Sequence, residues 1–204
     1  MSGYGSQKTA MRYWLLGAGY HVASEAMNFA EEYHQGQRKG GEPEFSHQVA
    51  IASTVRCFVS SLRYPEEAIA TAFLHDVRED YGVSDEEIRA RFGDNVANSV
   101  DAMTKETRGV RRAEGAVFEA IAGDANASVD KLADRVHNHS TMVDVFSLEK
   151  IEEYITETKT WIRPMAKEAR RRFVDQEPVY EALSLVLESQ LSLLESLLRS
   201  SASR

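Results

Sequence analysis

His75-Asp76-Val77-Arg78-Glu79-Asp80 sets an imidazole and a carboxylate side by side and adds two more carboxylates within four positions. A histidine and an aspartate together can ligate a divalent cation, and acids next to them can move protons. The apolar run 68–74 precedes the cluster and reads as helix. On one continuous helix, residues i and i+4 share a face. That spacing predicts Glu79 one turn above His75 and Asp80 one turn above Asp76. Ionisable groups are costly to bury unless they are paired or bound to a metal. The bland alternative is two solvated acids at a helix C-terminus, where the helix dipole opposes them.

Three further segments carry similar residue types. Residues 36–43, Gly-Gln-Arg-Lys-Gly-Gly-Glu-Pro, lead into Ser46-His47. Thr104-Lys105 follows the Phe92-Gly93 turn, and residues 131–138 place Lys131, Asp134, Arg135, His137 and Asn138 ahead of Thr141. Lys131 and Asn138 stand three before and four after Asp134, so the three share one helical face. Arg38 and Lys39 are either a loop charge pair or contacts for an anionic ligand, since a guanidinium plane suits both stacking and phosphate. Arg135 either pairs with a carboxylate or meets substrate. His34 and His137 read as core histidines or supports for the ligands. Lys105, Arg108, Arg111 and Arg112 either attract phosphate or form a charged loop.

The elements that must position these residues are helical almost throughout. Val22, Ala26, Phe29, Ala30 and Tyr33 form one apolar stripe, and Val49, Ala52, Val55, Val59 and Leu62 a second, beginning near Ser46. Pro65 starts the next helix, with Glu66 and Glu67 in its first turn, and it runs to about Val77. Ser84 opens a capping box and Gly93 stops that helix. Residues 96–103, 113–122 and 128–142 give three more. Ser147 caps a helix over 148–162, which Pro164 interrupts. The last helix, 179–198, carries Leu183, Val186, Leu187, Leu191, Leu194, Leu197 and Leu198. That stripe either docks on the core or forms a seam with a second copy of the chain. Strand alternation is absent, so the expected fold class is all-α, a single helical bundle of about eight to ten helices.

The chain has 204 residues, 43% hydrophobic and 27% charged, with a net charge of −8. This is enough for one buried core and an ordinary balance for a globular chain. The acidic balance argues against nucleic acid as a partner, because phosphate backbones are held by basic surfaces. A small anionic substrate remains compatible, since a cation and a few local bases reverse the field inside one pocket. The single cysteine, Cys57, excludes an internal disulfide framework and fits a reducing cytoplasm. No apolar run approaches the length of a membrane span or a signal peptide, so a cytoplasmic location is expected.

Taken in order, FAEEYHQGQRKGGEPEFSH, TAFLHDVRED, EEIRARFGDNVANSVDAMTK and DKLADRVHNHSTM resemble the HD metallohydrolase superfamily. More narrowly they resemble the hydrolase domain of the RelA/SpoT family and its stand-alone form, the small alarmone hydrolases. The likeness covers roughly residues 29–143. It implies residues 1–20 as an extension with a first helix, 21–146 as the hydrolase core, and 147–204 as helices completing the same domain. It implies His47, His75, Asp76 and Asp134 as metal ligands, manganese being usual. Two imidazoles and two carboxylates, without thiolate, suit such an ion. Glu79 and Asp80 become the groups that ready water for attack, and Arg38, Lys39, Lys131, Asn138 and Thr141 the substrate contacts.

The implied activity is removal of pyrophosphate from the ribose 3′ position of (p)ppGpp or (p)ppApp. The rivals are phosphatase action on another nucleotide such as NADPH, and a catalytically inactive alarmone-binding module. Four features depart from the usual pattern. They are Glu44-Phe45 for a tyrosine and an aliphatic residue, Gln48 for a proline, Arg78 for a small or apolar residue, and His139-Ser140 for Met-Arg.

Overall fold

Helix α4, Pro65–Leu74, is apolar all round, and residues 68–74 are all fully buried. Such a helix has to be surrounded. It packs against α2 (His21–Tyr33), α3 (Ser46–Arg56), α7 (Asp94–Met103) and α9 (Ala125–Thr141). Each fully buried side chain of the size of Ile69, Phe73 or Leu74 contributes about 1.5–3 kcal/mol through removal of apolar surface from water. α9 is the second central element and also contacts α8 (Glu114–Ala122) and α12 (Glu177–Ala202). Around these two lie α1 (Tyr4–Ala18), α5 (Val77–Tyr81), α6 (Asp85–Phe92), α10 (Leu148–Glu157) and α11 (Arg163–Arg172). The computed structural model describes residues 3–107 and 109–202. Arg108, one member of the basic stretch, lies outside the described residues.

The fold is all-α. Counting α4–α5 and α10–α11 each as one run, the described residues hold ten helices. Local chemistry explains most boundaries. Ser84 Oγ accepts from the Glu87 amide at 3.1 Å and Ser147 Oγ from the Lys150 amide at 3.3 Å, so both expected caps form. α9 begins three residues earlier than the spacing predicts. Asp124 caps it, accepting from the amides of Asn126 at 3.0 Å and Ala127 at 2.8 Å. Pro164 does not interrupt the path after α10. A π-helical turn over Thr158–Ile162 joins α10 to α11, and the proline falls in the first turn of α11, where its missing N–H is harmless.

A short antiparallel hairpin, β1 (Glu106–Thr107) and β2 (Val110–Arg111), follows α7. Two-residue strands leave no alternation for a sequence to display, which is why none was expected. The Leu-rich stripe of α12 is docked. Leu183 and Leu187 join the main core, while Leu191 and Leu194 pack with Met142, Ile151 and Ile155. Among the described residues, no helix is long and apolar enough to cross a membrane.

Candidate active site

The run that begins with α4 breaks at the residues of greatest chemical interest. α4 stops at Leu74, His75 and Asp76 form a turn, and α5 resumes at Val77. The expectation of one continuous helix through His75 and Glu79 is therefore corrected. The break still spans one helical step, because the Asp80 amide donates to the Asp76 carbonyl at 2.9 Å. Gly82, at φ 69°, ends α5. The turn leaves His75 and Asp76 at the end of a buried helix and lifts Glu79 and Asp80 to the exposed mouth of a cleft of about 360 Å³.

Three helices meet at the floor of this cleft. His47 sits in the first turn of α3, His75 just past α4, and Asp134 in the middle of α9; all three are buried. One ligand atom from each lies within 4.8 Å of the others. His47 Nε2 is 3.3 Å from Asp134 Oδ1, and His75 Nε2 is 2.9 Å from Asp76 Oδ2. Asp76 stands at the rim of this group, 4.0 Å from His47 Nε2, with a third of its side chain open. Ligands about 2.1 Å from one octahedral ion are about 3.0 Å apart when adjacent and about 4.2 Å apart when opposite. His47, His75 and Asp134 are close enough to hold one divalent cation, with Asp76 beside His75 at its rim.

The imidazoles are aimed by their other nitrogens. His75 Nδ1 donates to the Ala72 carbonyl at 2.9 Å, and His47 Nδ1 lies 2.9 Å from Nδ1 of His137. Burial, then the neighbouring His47 and Arg38, push His137 down to about 4, and the two Nδ1 atoms share one hydrogen bond whose donor is set by the tautomer. Both Nε2 atoms face the floor of the cleft, an arrangement that fixes ring angle. Asp134 is held by Lys131 Nζ at 2.8 Å and by Asn138 Nδ2 at 2.6 Å. Burial opposes its charge, but the Lys131 ammonium and the His47 bond keep the carboxyl well below the usual carboxylate range.

Burial also opposes charge on His75 and Asp76, and their mutual attraction overcomes it. His75 is held up to about 9 and Asp76 down to about 2. His75 Nε2 is itself buried with no hydrogen-bond partner. Asp80 behaves differently. Partial burial in the cleft wall, then the charges of Asp76 and Glu79, push it up to about 6, and solvent at the mouth screens part of that rise. Glu79 Oε2 accepts from the Lys105 amide at 2.7 Å. One turn before Asp134, α9 buries Asp130 with neither carboxylate oxygen hydrogen-bonded, and burial raises its carboxyl well above the usual range.

The residues expected to meet substrate divide into two groups. Arg38, Lys131 and Asn138 line the cleft, and Arg38 Nη2 reaches Asn138 Oδ1 at 3.3 Å. Lys131 and Asn138 are already engaged with Asp134, so they hold that carboxylate in place whatever else they touch. Lys39 and Thr141 do not line the cleft. They line an adjoining cavity of about 450 Å³ walled by Phe146 and Tyr154, whose rings stack 5.8 Å apart. Lys39 Nζ lies 5.0 Å above the Phe146 ring, and the Thr141 hydroxyl bonds back to the His137 carbonyl at 3.1 Å. Arg135 pairs with Glu157 at 2.6 Å, and His34 is buried with Nδ1 against the Ala30 carbonyl at 2.8 Å.

Glu44, Gln48, Tyr154 and Glu157 also line the cleft and were not singled out as site residues. Gln48, standing where a proline is usual, is buried with Nε2 3.5 Å from Asp76 Oδ2. Burial opposes the charge of Glu157, but Arg135 and Lys105 hold it down at about 2. Glu157 and Tyr154 lie far along the chain on an amphipathic helix, with no local signal separating them from ordinary surface residues.

Residues 26–168 match the HD domain. Over 154 residues the chain is 40% identical to a probable guanosine-3′,5′-bis(diphosphate) 3′-pyrophosphohydrolase of Synechocystis. That alignment covers 69% of this chain and 19% of the relative. Over 157 residues it is 33% identical to a GTP pyrophosphokinase of Myxococcus xanthus, covering 71% of this chain and 20% of that protein. The chain thus spans about a fifth of the length of these relatives. A solved structure, described as a metazoan ortholog of SpoT that hydrolyzes ppGpp, superposes with TM-score 0.62 at 21% identity. It covers 80% of this chain and 93% of its own, a likeness that speaks to the fold alone. With the family match spanning most of its length and the buried His and Asp side chains gathered at one floor, the chain belongs to the HD-domain family.

Proposed function

We propose that the protein is a metal-dependent 3′-pyrophosphohydrolase acting on (p)ppGpp or (p)ppApp. The observation that carries this reading is the gathering of His47, His75, Asp76 and Asp134 beneath an acid, Asp80, poised near neutral pH. The Synechocystis name supports it; the Myxococcus name, which describes synthesis, shows that a name alone does not assign the activity. His47, His75, Asp76 and Asp134 would hold one Mn²⁺. When bound, the ion offsets charge on the phosphoryl oxygens and acidifies water.

The chain's own residues do the rest. Asp80 accepts a proton from the water that attacks the 3′-linked phosphorus. Glu79, fixed by the Lys105 amide, orients that water. The new P–O bond forms as the bond from phosphorus to the ribose 3′ oxygen breaks. That oxygen takes up a proton, giving pyrophosphate and a nucleoside 5′-di- or triphosphate. Arg38 contacts the nucleotide from the cleft wall, with Lys39 and Thr141 reached through the adjoining aromatic cavity. Lys131 and Asn138 act mainly by holding Asp134.

The assay is direct. Purified protein with Mn²⁺ is offered ppGpp, ppApp and NADPH, and products are separated. Pyrophosphate from either of the first two supports the reading. Free phosphate from NADPH alone would favour the 2′-phosphatase rival, and tight binding without turnover an inactive module. A cytoplasmic location accords with this substrate class. A homodimer through α12 would use its outward face, where Leu185 and Leu193 are 72% and 71% exposed, because the Leu183–Leu187–Leu191–Leu194 stripe is already buried.

A further inference from the structure

Arg78 touches none of the metal-binding candidates, yet it sits between them and the two acids. Its side chain is 11% exposed, and Nη1 reaches Asp101 Oδ1 at 2.5 Å and Asp85 Oδ1 at 3.7 Å. From Asp101 the contacts continue. Arg112 Nη1 donates to the Asp101 carbonyl at 2.7 Å and the Thr104 carbonyl at 3.3 Å, satisfying the open C-terminal end of α7. The same nitrogen lies 3.8 Å from Asp101 Oδ2. The Arg112 amide donates to the Lys105 carbonyl at 2.8 Å, and the Lys105 amide donates to Glu79 Oε2 at 2.7 Å. Glu79 follows Arg78 in sequence, so the circuit closes.

The acids need such a restraint. α5 has five residues, of which Val77 alone is buried, and it ends at a left-handed glycine. A helix this short does not hold itself together in water. Charge-assisted bonds from a largely buried guanidinium are the strong kind. We propose that Arg78 is a positioning residue: through Asp101, Arg112 and Lys105 it fixes the carboxylate of Glu79 and the orientation of the adjoining Asp80. This rests on the catalytic reading of those two acids. Arg78 also ties the catalytic turn to the hairpin, whose base carries Lys105 into the cleft wall.

The test uses the full chain with Arg78→Met, which keeps the apolar stem, Arg78→Lys, which keeps one donor, and Asp101→Asn. Arg78→Met lowers kcat roughly ten- to a hundredfold, the effect of a misplacement on the order of 1 Å. KM and Mn²⁺ affinity stay within about twofold, because the contact is neither to substrate nor to ligand. Exchange of the Lys105 amide rises roughly tenfold, as expected for loss of about one hydrogen bond, while amides in α4 and α9 are unchanged. Arg78→Lys falls between, and Asp101→Asn combined with Arg78→Met costs no more than Arg78→Met alone. Unchanged kcat and unchanged Lys105 exchange in Arg78→Met, with the wild type active, would overturn the positioning role. So would a loss of Mn²⁺ affinity matching the loss of kcat, which would make Arg78 general scaffold. A wild type inactive on every 3′-pyrophosphorylated nucleotide would instead remove the functional reading itself.

Discussion

The floor of the cleft and its rim are built on opposite principles. At the floor, His47, His75 and Asp134 come from three packed helices, are buried, and are each held by a second contact. At the rim, Arg38 and Lys39 ride on a loop over residues 36–44. A Gln37–Pro43 bridge, the Arg38 amide to the Glu42 carbonyl at 2.8 Å, and Gly41 at φ 85° shape that loop. The Gly36 amide donates to the Glu44 carboxylate at 3.1 Å, and a Cβ at Gly36 would make the end of that side chain shift. Chemistry that tolerates little displacement is placed on helices whose positions the core dictates. On the proposed function, recognition, which must admit and release a nucleotide, would fall to the loop.

The largest effect should come from the floor. Asp134→Ala removes a ligand, leaves Lys131 and His47 without their partner, and is expected to lower Mn²⁺-supported turnover by on the order of a thousandfold or more. Calorimetric titration should show the ion's binding lost as well. Asp80→Asn should lower kcat roughly a hundred- to a thousandfold while Mn²⁺ binding persists, a separation of metal from proton transfer that kinetics and titration together can read. Equal turnover in that variant would break the assignment of Asp80.

Two pH effects follow with definite sign. Asp80 must be deprotonated to accept a proton and is pushed up to about 6. kcat/KM should therefore fall about tenfold per unit as pH drops below that value, and a bound cation shifts the limb lower. His75 is held up to about 9 in the metal-free protein, so the ion must displace a proton. Apparent Mn²⁺ affinity should rise with pH up to about 9, with one proton released on binding at pH 7. Binding that is flat with pH would contradict the upward shift of His75.

At the rim the effects shrink. Arg38→Ala should raise KM about tenfold with little change in kcat, the worth of one charge-assisted contact. Asp130→Val offers the reverse contrast on α9 itself. This acid is fully buried with neither carboxylate oxygen hydrogen-bonded, and burial raises its carboxyl well above the usual range. Its replacement should stabilise the fold by about 1–3 kcal/mol, seen as a higher midpoint in urea at pH 7.

The contrast also explains what could be read in advance. The apolar run before His75 and the Asp134 face of α9 are local patterns whose burial follows from periodicity, whereas grouping His47, His75, Asp76 and Asp134 as one metal set came from the resemblance to the HD superfamily. The break at His75-Asp76 was not legible, because 3.6-residue spacing looks the same through a single distorted turn. Lys131 and Asn138 were read as substrate contacts. Their shared face with Asp134 was correct, but sequence spacing cannot say that both side chains turn inward to the carboxylate. Lys39 and Thr141 share the aromatic cavity with Arg38, which lines both that cavity and the cleft, a division that sequence spacing does not display. Glu157 and Tyr154 are tied to the cleft through Arg135 of α9, which bonds the Glu157 carboxylate at 2.6 Å and the Tyr154 carbonyl at 3.4 Å, a long-range pairing with no local signature.

The most direct test is crystallographic. Crystals of the protein soaked in Mn²⁺ and measured at the manganese edge should show one anomalous peak at the cleft floor. It should lie roughly 2.0–2.5 Å from His47 Nε2, His75 Nε2, Asp76 and Asp134, and it should vanish in His75→Ala. An empty floor at saturating Mn²⁺, or a peak that leaves His47 or Asp134 out of reach, would contradict the account.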